Sequence, residues 1–320
     1  MRDHPDVLDA PRPLDILRTS LRPGVAFEDL LMLRDQSYIN AGIPIPEVSR
    51  ENFDLFLEGV WGYRQLIGDA DDVYTLYSDR GASDPIEDTI GYTDAMVQIL
   101  TRRAPGPAQT AVIQGVGLLT KDNAHLWHPY DLEFVHYGRV NPPDGMRNED
   151  IGYKIYLNPA SNARTWLMSG VVRDVVDDPV RFPGVHSAKV TGPVHRRNDG
   201  IVIFLRDEDA VRRVLSWVRE VQESHSARFL WDVPPGVDQV MAGVGYAAEP
   251  PRAATSFGGL RTALIFAALE RHRNGTFQDF QGEVLNLFYA NGIDPERVHL
   301  HLPGHPGPQP PAHLPPTEPR

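Results

Sequence analysis

The segment HSAKVTGPVHRRNDGIVIFL, residues 186–205, sets the fold class. SAKVTG and GIVIFL are short runs rich in β-branched residues, and the Gly192-Pro193 break between them cannot continue a ladder. They read as two strands of a hairpin. The same segment holds Lys189, one of only three lysines (Lys121, Lys154, Lys189) among 31 Lys and Arg residues. Such a hairpin can bring the Lys189 ammonium close to the guanidinium of Arg196 or Arg197, which stand just before the second strand.

Upstream, AVIQGVGLL, LEFVHYGRV and IGYKIYLN read as further strands separated by polar or Gly/Pro turns, and ARTWLMSGVVRDVV reads as a helix. Downstream, EDAVRRVLSWVREVQES, SFGGLRTALIFAALERHR with Ser256 as N-cap, and FQDFQGEVLNLFYANG with a closing Asn-Gly stop read as helices. Before the APGP break the texture is helical: FEDLLMLRDQSYINAG, then NFDLFLEGVWGYRQLI behind a possible Ser49 cap, then DPIEDTIGYTDAMVQILTRR. The expected organisation is a flexible arm over 1–20, a mainly helical region over 21–106 and an α+β domain of antiparallel strands flanked by helices over 107–302. The last segment, 303–320, carries eight prolines in 18 residues and is expected to be a disordered tail.

Candidate chemistry clusters on basic residues. Alternation in GYKIYLN puts Lys154 and Tyr156 on one face of a strand and Tyr153 and Ile155 on the other. An edge strand with its polar side in water is the ordinary alternative. Arg261, early in the SFGGLR helix, is placed to meet an anion near the helix N-terminus or to satisfy a nearby carboxylate. Arg197 can likewise pair with Asp199 or Asp207. Together these residues suggest a phosphate site. Arginine suits phosphate through its two-pronged fork, whereas lysine can be pushed from about 10.4 toward a useful base by burial or neighbouring cations.

Other chemistries have little support. His125 with His128, and His299 with His301, lack the cysteine or H-E-x-x-H context of a metal site, so no metal is expected. There is no nucleophile elbow or phosphate loop, and Glu149-Asp150 reads as a solvated turn. A net charge of -12 disfavours nucleic acid, and no run is long and apolar enough for a membrane span. The absence of cysteine and of a secretion signal is compatible with a cytoplasmic protein.

These segments resemble the phosphothreonine lyases of bacterial type III secretion systems and, more closely, the effector-derived lyase component of class V lanthipeptide synthesis. The resemblance spans about residues 110–297. It rests on Lys154-Ile155-Tyr156 as the K-x-H/Y strand, Lys189-Val190-Thr191 as the segment carrying the base, Arg197-Asn198-Asp199 before an apolar strand, and VPPGVDQVMAGVGYAAEP followed by SFGGLR. It implies elimination of phosphate from phosphothreonine or phosphoserine of a precursor peptide, without metal or redox cofactor, giving dehydrobutyrine or dehydroalanine. In that scheme Lys189 is the base, Tyr156 or Lys154 the acid unless the phosphate leaves with little protonation, and Arg197, Arg196, Arg261 and Lys154 hold phosphate. A separate kinase would phosphorylate the peptide and a cyclase would add thiols afterwards. Tyr156 departs from the histidine that the secretion-system enzymes carry. That departure keeps a catalytically inactive phosphopeptide-binding subunit in view, and a lyase acting on host signalling kinases is the other alternative.

Overall fold

The computed structural model describes residues 48–78, 89–102, 111–113, 117–119, 134–138, 150–192, 197–225, 229–230, 232–250 and 256–303. The expected arm, the helix expected over 27–42 and the tail from residue 304 onward lie outside these residues. Among the described residues no helix is long and apolar enough to cross a membrane.

The fold is mixed α+β, with helices leading into one antiparallel sheet. The leading helices are α1 (Val48–Gly62), α2 (Ala70–Ser78) and α3 (Thr89–Arg102). The strands are β1 (Ala111–Ile113), β2 (Gly117–Leu119), β3 (Phe134–Gly138), β4 (Tyr153–Leu157), β5 (Val185–Thr191), β6 (Ile201–Leu205), β7 (Asp238–Met241) and β8 (Val244–Ala248). Their order is β2-β1-β3-β5-β6-β4-β8-β7. Between strands run α4 (Arg164–Gly170), which passes into a π-helical stretch at Val171–Val176, and α5 (Glu208–His225); α6 (Phe257–His272) and α7 (Phe277–Ala290) follow β8.

The hairpin expected in residues 186–205 forms as β5 and β6, with Lys189 opposite Val202 and a bulge near His186. A helical start capped by Ser256 is also present: its hydroxyl accepts from the Gly259 N–H. The stop after α7 comes at Gly292, whose φ of 75° only glycine adopts freely. Several expectations are corrected. AVIQGVGLL splits into β1 and β2, which pair with each other. Ser49 sits inside α1 rather than before it. The helix expected over 163–176 is α-helical only to Gly170. β4 is an interior strand bonded to β6 and β8, so its Lys-x-Tyr pattern does not mark a solvated edge.

Both faces of the sheet are covered. Ile155, Leu157, Ile201, Ile203, Ala188 and Val190 face a core built with α3, α4, the π-helical stretch and α5. On α5, Ala210, Val211, Val214, Leu215 and Val218 supply the buried stripe at helical spacing. Tyr156, Val202 and Ala247 face the opposite core with α1, α2, α6 and α7. On α7 the buried residues Phe280, Val284 and Phe288 recur every fourth position, behind a Thr276 capping box that satisfies two backbone donors. β-strand alternation thus sends Lys154 and Tyr156 into a layer between sheet and helices.

Gly243 lies in the β7–β8 turn, close to the Leu230 and Asn158 carbonyls. Its φ is 63°, and a Cβ there would lie 2.2 Å from the Leu230 carbonyl oxygen. Gly243→Ala should therefore destabilise the protein by at least about 2 kcal/mol in urea unfolding. Gly282→Ala on α7, where a Cβ meets nothing within 4 Å, should be neutral or stabilising by up to about 1 kcal/mol. Equal effects at the two sites would show that the turn does not impose the constraint.

Candidate active site

Cross-strand register puts Lys154, Tyr156, Phe204, Val202, Lys189 and His136 on one face, because directly opposed residues in an antiparallel sheet point the same way. The two lysines stand on β4 and β5 with β6 between them, so they share a face without sitting on adjacent strands.

Lys154 is buried and donates to Glu249 Oε1 at 2.7 Å, with its ammonium 5.1 Å from the Phe204 ring centroid. Lys189 has a different setting. Its ammonium lies 3.6 Å from the centroid of Phe134, and no carboxylate among the described residues bonds it. Burial pushes the Lys189 ammonium down to about 7; Asp199 opposes that shift, while Lys154 and Arg197 reinforce it. His136, opposite Lys189 across β3 and β5, is lowered to about 4 by burial and then by Lys189 and Lys154. It is therefore a neutral imidazole near pH 7.

Arg197 is buried with Asp199. Nε donates to Oδ1 at 2.7 Å and Nη2 to Oδ2 at 3.1 Å, and Nη2 also reaches the Tyr74 hydroxyl at 3.2 Å. Burial alone would weaken its charge, but the Asp199 carboxylate outweighs burial and holds the guanidinium above its ordinary value. The Phe134 ring lies 4.9 Å from this guanidinium as well, so one aromatic face serves both Lys189 and Arg197. Buried Arg164 donates to the Gly192 carbonyl at 3.3 Å, and the Tyr92 hydroxyl donates to that of Thr191. These bonds pin the end of β5, two residues after Lys189.

Arg261 is only 1% exposed, and its guanidinium is spent on backbone. It donates to the carbonyls of Val298 and Phe257 and stacks 3.5 Å from the Phe257 ring centroid. Burial pulls it down to about 9, against the pull of Tyr77, Tyr156 and Glu249. It braces the layer above the sheet through these backbone bonds, and among the described residues no carboxylate bonds it. Tyr156 is buried against Phe257. Burial raises its phenol well above 10, outweighing the lowering by Arg261, so the basic cluster does not sharpen it into an acid.

Arg196, His125, His128 and Glu149 lie outside the described residues. His299 faces Asp238 at 3.8 Å and His301 contacts the Gly292 carbonyl, and no group of three potential metal ligands occurs among the described residues. Sequence reading passed over Phe134, His136, Glu249 and Tyr74. Alternation in β3 could have found Phe134 and His136, whereas Tyr74 and Glu249 arrive from distant elements. A separate groove of about 370 Å³ lies between α4, the π-helical stretch and α5, lined by Trp166, Trp217 and His225. It is on the far side of the sheet from both lysines.

The chain is similar in fold to the effector protein from Pseudomonas syringae pv. tomato strain DC3000, with a TM-score of 0.60 and 14% identity, over 79% of this chain and 99% of that one. It is also similar to the effector protein from Pseudomonas syringae pv. syringae strain 61, with a TM-score of 0.56 and 13% identity, over 80% and 98% of the two chains. At these identities the likeness is one of fold. No curated protein matches the sequence. A family match covers residues 133–300, which contain Lys154, Lys189, Arg197 and Arg261 and more than half of the sequence: the chain belongs to the HopA1 effector protein family.

Proposed function

We propose that this protein is a phosphothreonine/phosphoserine lyase acting on a phosphorylated peptide. The observation that carries the reading is Lys189: an ammonium on a covered sheet face, packed on Phe134 and electrostatically coupled to Lys154 and Arg197, with its proton loosened to about 7. A lysine so placed can be a neutral base near physiological pH, which arginine cannot.

In the proposed reaction the Lys189 amine takes the α-proton, the Cα–H electron pair becomes the Cα=Cβ bond, and the Cβ–O bond breaks to release phosphate. Lys189 ends protonated. Lys154, kept in place by Glu249, stabilises the enolate-like charge at the substrate carbonyl. Arg197, whose Nη1 lies outside its bonds to Asp199 and Tyr74, offers an edge to the phosphate, with Arg196 as a second candidate. Arg261 supports the layer rather than gripping the anion. Tyr156, with its raised phenol, makes a poor acid, so the leaving phosphate departs with Lys154 or solvent supplying the proton. The resemblance of the Lys154, Lys189 and Arg197 segments favours a ribosomal precursor peptide in the cytoplasm, phosphorylated by a separate kinase and cyclised by another enzyme after elimination. The effector proteins with the same fold favour instead a phosphorylated host protein; both substrates present the same phosphorylated residue. The raised Tyr156 phenol favours, as a second reading, a subunit that binds phosphopeptide without eliminating.

Incubation with a phosphothreonine peptide should release phosphate and leave a product lighter than its phosphopeptide by one phosphoric acid. A product with its hydroxyl restored would mean hydrolysis, and intact bound phosphopeptide would mean the binding reading. The rate should rise with pH through about 7 as Lys189 loses its proton, and Lys189→Arg should retain most phosphopeptide affinity while losing essentially all turnover. Full turnover by folded Lys189→Arg removes the proposed base.

The shift is also readable in stability. Folded Lys189 sits near 7, below the ordinary 10.5, so between those values the unfolded chain holds a proton that the folded chain has shed. Its contribution is complete above about 10.5 and is lost as pH falls to about 7. Relative to Lys189→Met, the wild type should gain stability across that window in urea titrations. A difference independent of pH would show an unshifted lysine.

A further inference from the structure

Helix α2 lies outside the family-matched segment, yet it faces the candidate site. Tyr74 and Tyr77, three residues apart, share one side of this helix. Tyr74 takes a hydrogen bond from Arg197, and the Asn198 N–H donates to the Ser78 carbonyl at 3.3 Å. α2 is thus tied to the loop that carries Arg197 and Asp199.

Tyr77 is packed more tightly still. Its ring lies over Gly258 of the SFGGLR segment, where a Cβ would come within 2.8 Å of Cε1, so the first turn of α6 has no room for a side chain there. Tyr77 is 4% exposed, and its buried hydroxyl has no hydrogen-bond partner among the described residues. A buried, unpaired O–H is unfavourable in the free protein, and few native hydroxyls remain so. Arg197, Arg261, Asp199 and Tyr156 are its electrostatic neighbours. Burial and Asp199 keep its proton on, so the hydroxyl retains a hydrogen to donate. An unpaired donor beside two guanidiniums suits the oxygen of an anion and opposes a cation.

We propose that Tyr77 is a substrate-binding residue that donates its hydroxyl hydrogen bond to a phosphate oxygen of the bound phosphopeptide, making α2 one wall of the site. The proposal rests on the phosphopeptide reading above, and it adds a residue from a helix beyond the family match. It also gives Gly258 a functional reason: its missing side chain lets the Tyr77 ring sit between helix and sheet.

The experiment compares Tyr77→Phe with native Tyr77, each in a Lys189→Arg background that prevents turnover, using a phosphothreonine peptide, its unphosphorylated form and inorganic phosphate in calorimetry, with thermal melting alongside. Loss of an unpartnered hydroxyl should leave the melting temperature unchanged or raised, while phosphopeptide affinity falls roughly tenfold or more. Unaltered affinity in a folded variant overturns the inference. So does a variant that fails to fold, because it would show the hydroxyl already bonded in the free protein. Gly258→Ala, which must displace the Tyr77 ring, should reproduce the affinity loss; normal binding by a folded Gly258→Ala counts against the proposed wall. A protein with native Lys189 that binds without eliminating, while Tyr77→Phe binds weakly, supports this inference and sinks the lyase reading. Absence of binding to all three probes overturns both.

Discussion

Burial of positive charge on one face of a covered sheet is the constraint on which the rest of the molecule depends. Lys154, Arg197 and Arg261 are nearly inaccessible to water, and an unpaired ion in such a place would cost several kcal/mol even after relaxation. Each cation is therefore answered differently. Lys154 has Glu249, Arg197 has both oxygens of Asp199, and Arg261 has two backbone carbonyls. Lys189 packs on the Phe134 ring, has no bonded carboxylate among the described residues, and gives up its proton more readily instead. The helices above the sheet follow from these answers: α6 carries Arg261 and leaves Gly258 bare, and α2 brings Tyr74 to Arg197.

Much of the fold was legible because its elements obey one period at a time. β-branched runs on either side of Gly192-Pro193 could hardly be anything but a hairpin, and the register that formed preserves the side-chain alternation read from GYKIYLN. The failures have local causes. ARTWLMSGVVRDVV is apolar at helical spacing throughout, and nothing in it announces the change to π-type bonding at Val171. β7 and β8 escaped notice because VDQVMAGVGYAA mixes glycines and a polar pair into very short runs; the turn that joins them becomes evident only when Gly243 meets the Leu230 carbonyl. K-x-Y looked equally at home on an edge strand, since edge or interior position depends on partners far away in sequence.

The site was legible in its lysines and less so in its arginines. Alternation along a strand and pairing across a hairpin are local rules, and they bring Lys154 and Lys189 to one face through β6. Arginine partners are set by tertiary packing. Arg261 near a helix start suggests an anion or a neighbouring carboxylate as its partner, but the loop carrying Val298 folds back to take its guanidinium. Glu249 lies 95 residues from Lys154, and Tyr74 lies 123 from Arg197; no spacing rule reaches that far. Tyr156 illustrates a different limit, because its neighbours include a guanidinium that should acidify it, and only the measure of burial decides that the phenol moves the other way.

Chemistry assigns the two kinds of cation different work in this layer. A guanidinium keeps its charge and its fork, so Arg197 and Arg261 can serve as fixed braces; a lysine ammonium can be retuned by its surroundings, and Lys189 is. For a phosphate ligand this division has a consequence at Arg197. Taking over the Nε–Nη2 fork would expel Asp199 and leave a buried carboxylate unpaired beside an incoming anion, which combines a desolvation penalty with like-charge repulsion. Approach from the Nη1 edge leaves the Arg197–Asp199 pair intact and adds the anion to a guanidinium already oriented by Asp199 and Tyr74. The second route is the less costly one, and it makes Asp199 an orienting partner of the arginine rather than a competitor for it.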